Sequence, residues 1–122
     1  MGKESTVLGK EGEDTAVTYL IEHGYKIIDR NYCSQQGEID IIAKDGGFLV
    51  FVEVKAYSIG SFGFPLGAVG PSKKKSLIHA ARTYLMKNNI KDVHCRFDVL
   101  GIYKSWTGVP SFDLIKDAFN VS

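Results

Sequence analysis

Residues 38–57, EIDIIAKDGGFLVFVEVKAY, constrain the fold of this chain more than any other stretch. Glu38–Lys44 and Phe48–Tyr57 are rich in β-branched and aromatic residues, which suit a pleated, half-buried surface, and Asp45-Gly46-Gly47 between them is a turn signal. The spacing predicts a β-hairpin with Gly46 and Gly47 as its central residues. Asp45 then faces Phe48, paired positions sum to 93, and Asp40 falls opposite Glu53. Directly opposed residues share a face with Cβ atoms about 4.5–5.5 Å apart, so two carboxylates lie side by side. The period-2 alternation of a strand puts Lys55 on the face of Glu53. Val50, Val52 and Val54 point the other way with Ile39 and Ile41, an apolar face ready for burial.

Around the hairpin, periodicity predicts packed helices and further strands. Ala16, Val17, Leu20 and Ile21 recur at helical spacing and Gly24 is a stop, which predicts a helix from about Lys10 to His23, followed by a short strand at Tyr25–Asp29. Pro71 and Ser72 open a second helix reaching about Asn88, with Leu77, Ala81, Tyr84 and Leu85 on one stripe. His94–Tyr103 reads as a strand, Phe112–Phe119 as a short terminal element of undefined type, and Ser58–Gly70 as a glycine-rich loop. The order α-β-β-β-α-β points to an α/β fold with helices against a sheet.

At 122 residues, with 44% hydrophobic and 24% charged side chains, the chain has the size of one domain spanning residues 1–122. Its polar start lacks an apolar signal region, and the longest apolar run is Phe48–Val52, so a soluble cytoplasmic protein is expected. Cys33 and Cys95 form neither a C-x-x-C pair nor a disulfide framework, and His23, His79 and His94 lack metal-ligand spacing. The net charge of +1 hides an uneven distribution: residues 1–55 carry 6 Lys/Arg and 10 Asp/Glu, whereas residues 56–104 carry 8 Lys/Arg and only Asp92 and Asp98. An acidic half beside a basic one can set a metal site next to a phosphate-binding surface.

Two neighbouring carboxylates repel, which raises a pKa or calls for a cation between them. Mg²⁺, with Mn²⁺ as an alternative, fits: it takes oxygen ligands from one or two carboxylates and keeps waters for substrate phosphate. Such an ion polarises a scissile phosphate and acidifies a bound water, while Lys55 orients that water or offsets charge on the phosphoryl oxygens. An ordinary cross-strand salt bridge also accounts for Lys55. Glu13 lies on or beside the first helix's apolar stripe, so it needs a partner there or serves as a first-turn acid. Lys73, Lys74 and Lys75 sit where the second helix's dipole disfavours cations, which makes phosphate contact, or plain solvation, their explanation.

These residues resemble the uncharacterised bacterial YraN-like family, itself similar to the PD-(D/E)XK nucleases and archaeal Holliday-junction resolvases. The resemblance runs through Gly12-Glu13-x-x-Ala16, Tyr19-Leu20, Gly24-Tyr25, Arg30-Asn31, Gly37-Glu38-Ile39-Asp40, Phe51-Val52-Glu53-Val54-Lys55, Phe62-Gly63, Lys73, Arg96-Phe97-Asp98-Val99 and Ala118-Phe119. It implies a restriction-endonuclease-like fold, a mixed β-sheet flanked by α-helices, with Asp40, Glu53 and Lys55 matching the nuclease signature and Glu13 the helix glutamate of junction resolvases. Tyr57 stands where the family commonly has a basic residue, which exchanges a phosphate contact for base stacking.

Together these features lead to the expectation of a metal-dependent endonuclease acting on nucleic acid, DNA first and branched or structured DNA in particular. The metal ligands would be Asp40, Glu53 and the Val54 carbonyl, with Glu13 assisting as an outlying or second-metal acid; Lys73, Lys74 and Lys75 would hold the nucleic-acid backbone and Tyr57 would stack on a base. Cutting both arms of a symmetric junction would require a homodimer. The alternative is a non-catalytic nucleic-acid-binding or DNA-repair accessory module on the same fold; a purely structural or protein-interaction domain leaves the facing acids unexplained.

Overall fold

The computed structural model describes residues 3–59 and 69–119; Phe62-Gly63 and most of the Ser58–Gly70 loop lie outside the described residues. The elements are α1 (Lys3–Glu22), β1 (Lys26–Cys33), β2 (Glu38–Asp45), β3 (Phe48–Tyr57), α2 (Pro71–Lys87), β4 (His94–Tyr103) and β5 (Ser111–Ile115). The strands form one sheet in chain order, antiparallel throughout except that β3 and β4 run parallel. A parallel pair cannot be closed by a tight turn, and α2 lies in the segment between β3 and β4. The expected α/β fold, a mixed sheet flanked by helices, is what the chain adopts.

The hairpin has the expected register. Asp45 pairs with Phe48, and the ladder runs from there to Ile41↔Val52. Gly46 takes φ +60°, which glycine adopts without a Cβ penalty. Gly24 ends α1 at φ +91°, with the Tyr25 N–H returning 2.9 Å to the Leu20 carbonyl, a closure that satisfies an orphaned helix acceptor.

The sheet is covered on both faces. Ala16 and Leu20 of α1 pack with Ile41, Ala43, Val50, Val52, Val54, Leu100 and Ile102. Leu77, Ala80, Ala81 and Tyr84 of α2 pack with Ile42, Leu49, Phe51, Phe97 and Val99. A strand buried on both sides loses hydrophobic alternation, and Leu49 through Val52 are all buried.

Three expectations are corrected. Ile21, placed on the α1 stripe, is 55% exposed, because Ala16 and Leu20 make the sheet contact one position away around the helix. Ile39 does not share the α1 face with Ile41; it packs on the α2 side, just beyond the last rung of the β2–β3 ladder, where strict alternation fails. The strand expected at Tyr25–Asp29 extends to Cys33 through a bulge that shifts register between Ile27 and Asp29, and part of the terminal element is the edge strand β5.

Candidate acidic site at the parting of two strands

Asp40 stands where regular pairing lapses on both sides. Against β3 the ladder stops at Ile41↔Val52. Against β1 it passes from Arg30↔Ile41 to Tyr32↔Ile39 without pairing Asp40 to Asn31, which holds a left-handed φ of +53°. Asparagine tolerates that conformation better than most residues, and such strain persists where its surroundings impose it. Continued register would have given the Val54 N–H to Ile39. Instead that N–H donates to Asp40 Oδ2 at 2.8 Å. A strand residue directs its N–H and C=O to the same edge, so the Val54 carbonyl also faces the parting between β2 and β3.

Asp40 and Glu53 lie close enough for the Glu53 charge to act on the Asp40 carboxyl. Burial, and then the neighbouring Glu53 charge, push Asp40 up to about 7, against the opposing effects of the Val54 N–H and Lys73. Burial and like-charge repulsion both disfavour the ionised form, so Asp40 keeps its proton to near neutrality. Lys73, in the first turn of α2, places Nζ 3.3 Å from Glu53 Oε2; the glutamate side chain is only 12% exposed and the lysine 45%.

Lys55 is partly buried, two residues beyond Glu53 and paired in the ladder with Gly101 of β4. Among the described residues no hydrogen bond or ion pair holds its ammonium group. Its freedom contrasts with Lys73, which already has a partner.

The remaining predicted residues part company. Glu13 lies beside the buried α1 residues but binds Arg30, accepting from Nε at 3.1 Å and Nη2 at 2.6 Å, while Arg30 also reaches Asp14. Among the described residues no three Asp, Glu, His or Cys side chains gather closely enough to hold a metal ion, so Glu13 does not form a three-carboxylate cluster with Asp40 and Glu53 here. Lys74 lies over the Phe119 ring at 5.6 Å and Lys75 is exposed. Successive helical residues point about 100° apart, so the three lysines do not act as one patch. The Tyr57 ring stacks on Tyr103, centroids 4.8 Å apart and planes 14° from parallel.

Position in α2 is held by close approach. A Cβ on Gly37, in the turn between β1 and β2, would lie 2.8 Å from the Ser76 carbonyl oxygen. That contact sets the helix against β2 and so brings Lys73 within reach of Glu53, a pairing that sequence reasoning missed. The Arg96–Asp98 network was missed as well. Asp98 is 1% exposed, accepts from Arg96 Nε and Nη2 at 2.9 Å each, from the Tyr25 hydroxyl at 2.6 Å and from the Asp117 N–H at 2.9 Å. Arg96 also donates to Asp45 at 2.7 Å, which holds that carboxyl below its usual range. The i, i+2 spacing of Arg96 and Asp98 on a strand was the available signal. This network clamps the hairpin end of the sheet, away from Asp40.

Comparison with known proteins supplies kinship. The profile of the uncharacterised protein family UPF0102 matches residues 12–102. A UPF0102 protein of Chlorobium phaeobacteroides (strain BS1) is 53% identical over 78% of this chain and 75% of its own length. Others from Geotalea daltonii and Geobacter metallireducens are each 43% identical, over 98% and 100% of this chain and 94% and 99% of theirs. The chain belongs to the UPF0102 family. Both carboxylates, Lys55 and Lys73 lie inside the matched span, and the YraN-like resemblance seen in the sequence is this family. Among the described residues of this UPF0102 protein no helix is long and apolar enough to cross a membrane.

Proposed function

We propose that this protein is a metal-dependent endonuclease that hydrolyses phosphodiester bonds in nucleic acid, with DNA, branched or structured, as the favoured substrate. The observation that carries the reading is the neighbouring Asp40 and Glu53 carboxyls at the parting of β2 and β3, partly buried, with the Val54 N–H bound to Asp40 and the Glu53 charge pressing on it. Hard oxygen donors in that arrangement fit Mg²⁺ or Mn²⁺: Asp40, Glu53 and the Val54 carbonyl would hold the ion, which supplies Lewis acidity toward a phosphodiester. Lys55, unpartnered and on the same face, orients the attacking water and offsets charge on the phosphoryl oxygens. Lys73 leaves Glu53 to meet the substrate backbone. Glu13 acts as a positioning residue, fixing Arg30 and with it the adjoining Asn31 opposite Asp40.

The test is direct. Purified protein with Mg²⁺ or Mn²⁺ is offered duplex, single-stranded, flap and junction DNA and RNA. Cleavage is expected to fall by roughly 10²-fold or more in Asp40→Ala, Glu53→Ala and Lys55→Ala, the range for removing groups that stabilise developing charge. No cleavage above the Asp40→Ala control sinks the reading.

One observation favours a second reading. Lys73 already supplies a cation to Glu53, so the acids have compensation without a metal. A non-catalytic nucleic-acid-binding module then keeps the fold. Its binding falls steeply with salt and is lost on replacing Lys73–Lys75, while Glu53→Ala leaves it unchanged.

A further inference from the structure

The loop between β4 and β5 holds the chain's single tryptophan in water. Trp106 is 88% exposed and its loop neighbour Val109 69%. Isolated exposed hydrophobics are ordinary on protein surfaces and by themselves carry no meaning. What sets this one apart is the rigidity of its support. Ser105 Oγ donates to the Val109 carbonyl at 2.6 Å and lies 2.9 Å from Thr107 Oγ1, the Val109 N–H donates to Thr107 Oγ1 at 3.3 Å, and the Gly108 N–H donates to the Ser105 carbonyl at 3.2 Å. The loop is therefore shaped by its own hydrogen bonds, and Trp106 contributes little buried area to it. The loop presents a large aromatic group with only its two side-chain torsions to fix on binding, a low entropy cost for its contact area.

Its position relates to the acidic site. Because β3 and β4 are parallel, the chain leaves β4 at the end of the sheet toward which Glu53, Lys55 and Tyr57 run. The Lys104 N–H donates to the Tyr57 carbonyl at 3.1 Å, which fastens the loop's first residue to the end of β3. Glu53 pairs with Val99, and Trp106 lies seven residues further along, at most about 23 Å from Val99 at the rise of a strand. With bases stacked roughly 3.4 Å apart along one strand, that span covers about seven nucleotides. Lys104 is exposed and is the only charged residue between Tyr103 and Ser111, so the loop itself offers one cation, and Glu11 of α1 lines the depression beside it.

We infer that Trp106 is a stacking platform for an unpaired nucleic-acid base and Lys104 its phosphate contact, an inference that rests on the nucleic-acid reading above. A tryptophan face accepts any base, because every base presents a π surface, and the stack holds a strand whose bases are splayed from pairing. The surface thus selects single-stranded or frayed segments within about seven nucleotides of the acidic pair. A cation two residues from the ring, on the loop fastened to the end of β3, favours this occupant over an apolar protein partner.

Because Trp106 is the only tryptophan, its own emission reports contact. Titrating metal-free protein in EDTA with a labelled single-stranded DNA oligonucleotide should quench tryptophan fluorescence in step with the rise in anisotropy, and more strongly than a blunt duplex does. Trp106→Ala should weaken single-strand binding by roughly 5- to 150-fold, the range for one base–aromatic stack, while Trp106→Phe retains most of it. Melting temperature should be unchanged in both variants, since the side chain is exposed. Binding with unaltered emission and equal affinity in Trp106→Ala overturns the inference and leaves the proposed function standing. Emission that shifts with protein concentration alone assigns the surface to a second copy of the chain and also overturns it. Absence of any nucleic-acid binding by the wild type overturns both this inference and the reading beneath it.

Discussion

Lys73 Nζ lies 3.3 Å from Glu53 Oε2, so a cation from α2 sits on the acid that β3 contributes. The pair makes the acidic site partly self-compensated. Replacing the lysine with a neutral side chain of similar length removes a competitor for any added cation and leaves two acids facing each other.

Lys73→Met should bind Mn²⁺ several-fold more tightly than wild type by titration calorimetry. It should also lose about 0.5–1 kcal/mol of stability when metal-free, a figure kept small because the lysine is nearly half exposed. Unchanged affinity for Mn²⁺ would show that Lys73 does not compete at the site.

Asp40 makes the stability of the metal-free protein depend on pH. Its carboxyl titrates near 3.8 when unfolded and near 7 when folded, so between those values the folded state holds the extra proton. Stability therefore falls as pH rises through that window, and the full penalty is present above about 7. Asp40→Asn should flatten this slope and, at pH 8, stabilise the metal-free protein by on the order of 2–4 kcal/mol. The check is denaturant unfolding at pH 5 and pH 8 in EDTA. A wild type that gains stability over this range more steeply than Asp40→Asn contradicts the assignment.

Gly37 is required by space. Its φ lies outside the left-handed region, yet a Cβ would meet the Ser76 carbonyl oxygen at 2.8 Å, and backbone cannot yield as a side-chain tip can. Gly37→Ala should lose about 1–3 kcal/mol. Gly47→Ala, where nothing lies within 4 Å, should be close to neutral. Thermal melts of the two variants distinguish contact with α2 from a general effect of glycine loss.

Arg96 neutralises a fully buried carboxylate. Arg96→Met should destabilise by roughly 3–5 kcal/mol, because Asp98 is left buried with its charge uncompensated. Urea unfolding measures this, and the double variant Arg96→Met/Asp98→Leu should recover part of the loss. A non-additive recovery is the mark of a coupled pair.

Much of this was present in the chain before any folding in space. The turn Asp45-Gly46-Gly47 and the period of two set the hairpin register, and that register alone predicted Asp40 and Glu53 as neighbours. Gly24, Pro71 and the stripe of Leu77, Ala81 and Tyr84 marked helix ends and faces because capping and amphipathicity are local. What local signals could not express is the company each charge keeps. Glu13 and Arg30 are joined by the packing of α1 beside β1, and Lys73 meets Glu53 because Gly37 lets α2 approach β2. Equally non-local is the lapse of both ladders at Asp40, which moved Ile39 to the other face and gave the Val54 N–H to a carboxylate. Pattern along a strand determines which way a side chain points; only the docking of helices on a parted sheet decides which cation, proton or backbone group it finds there.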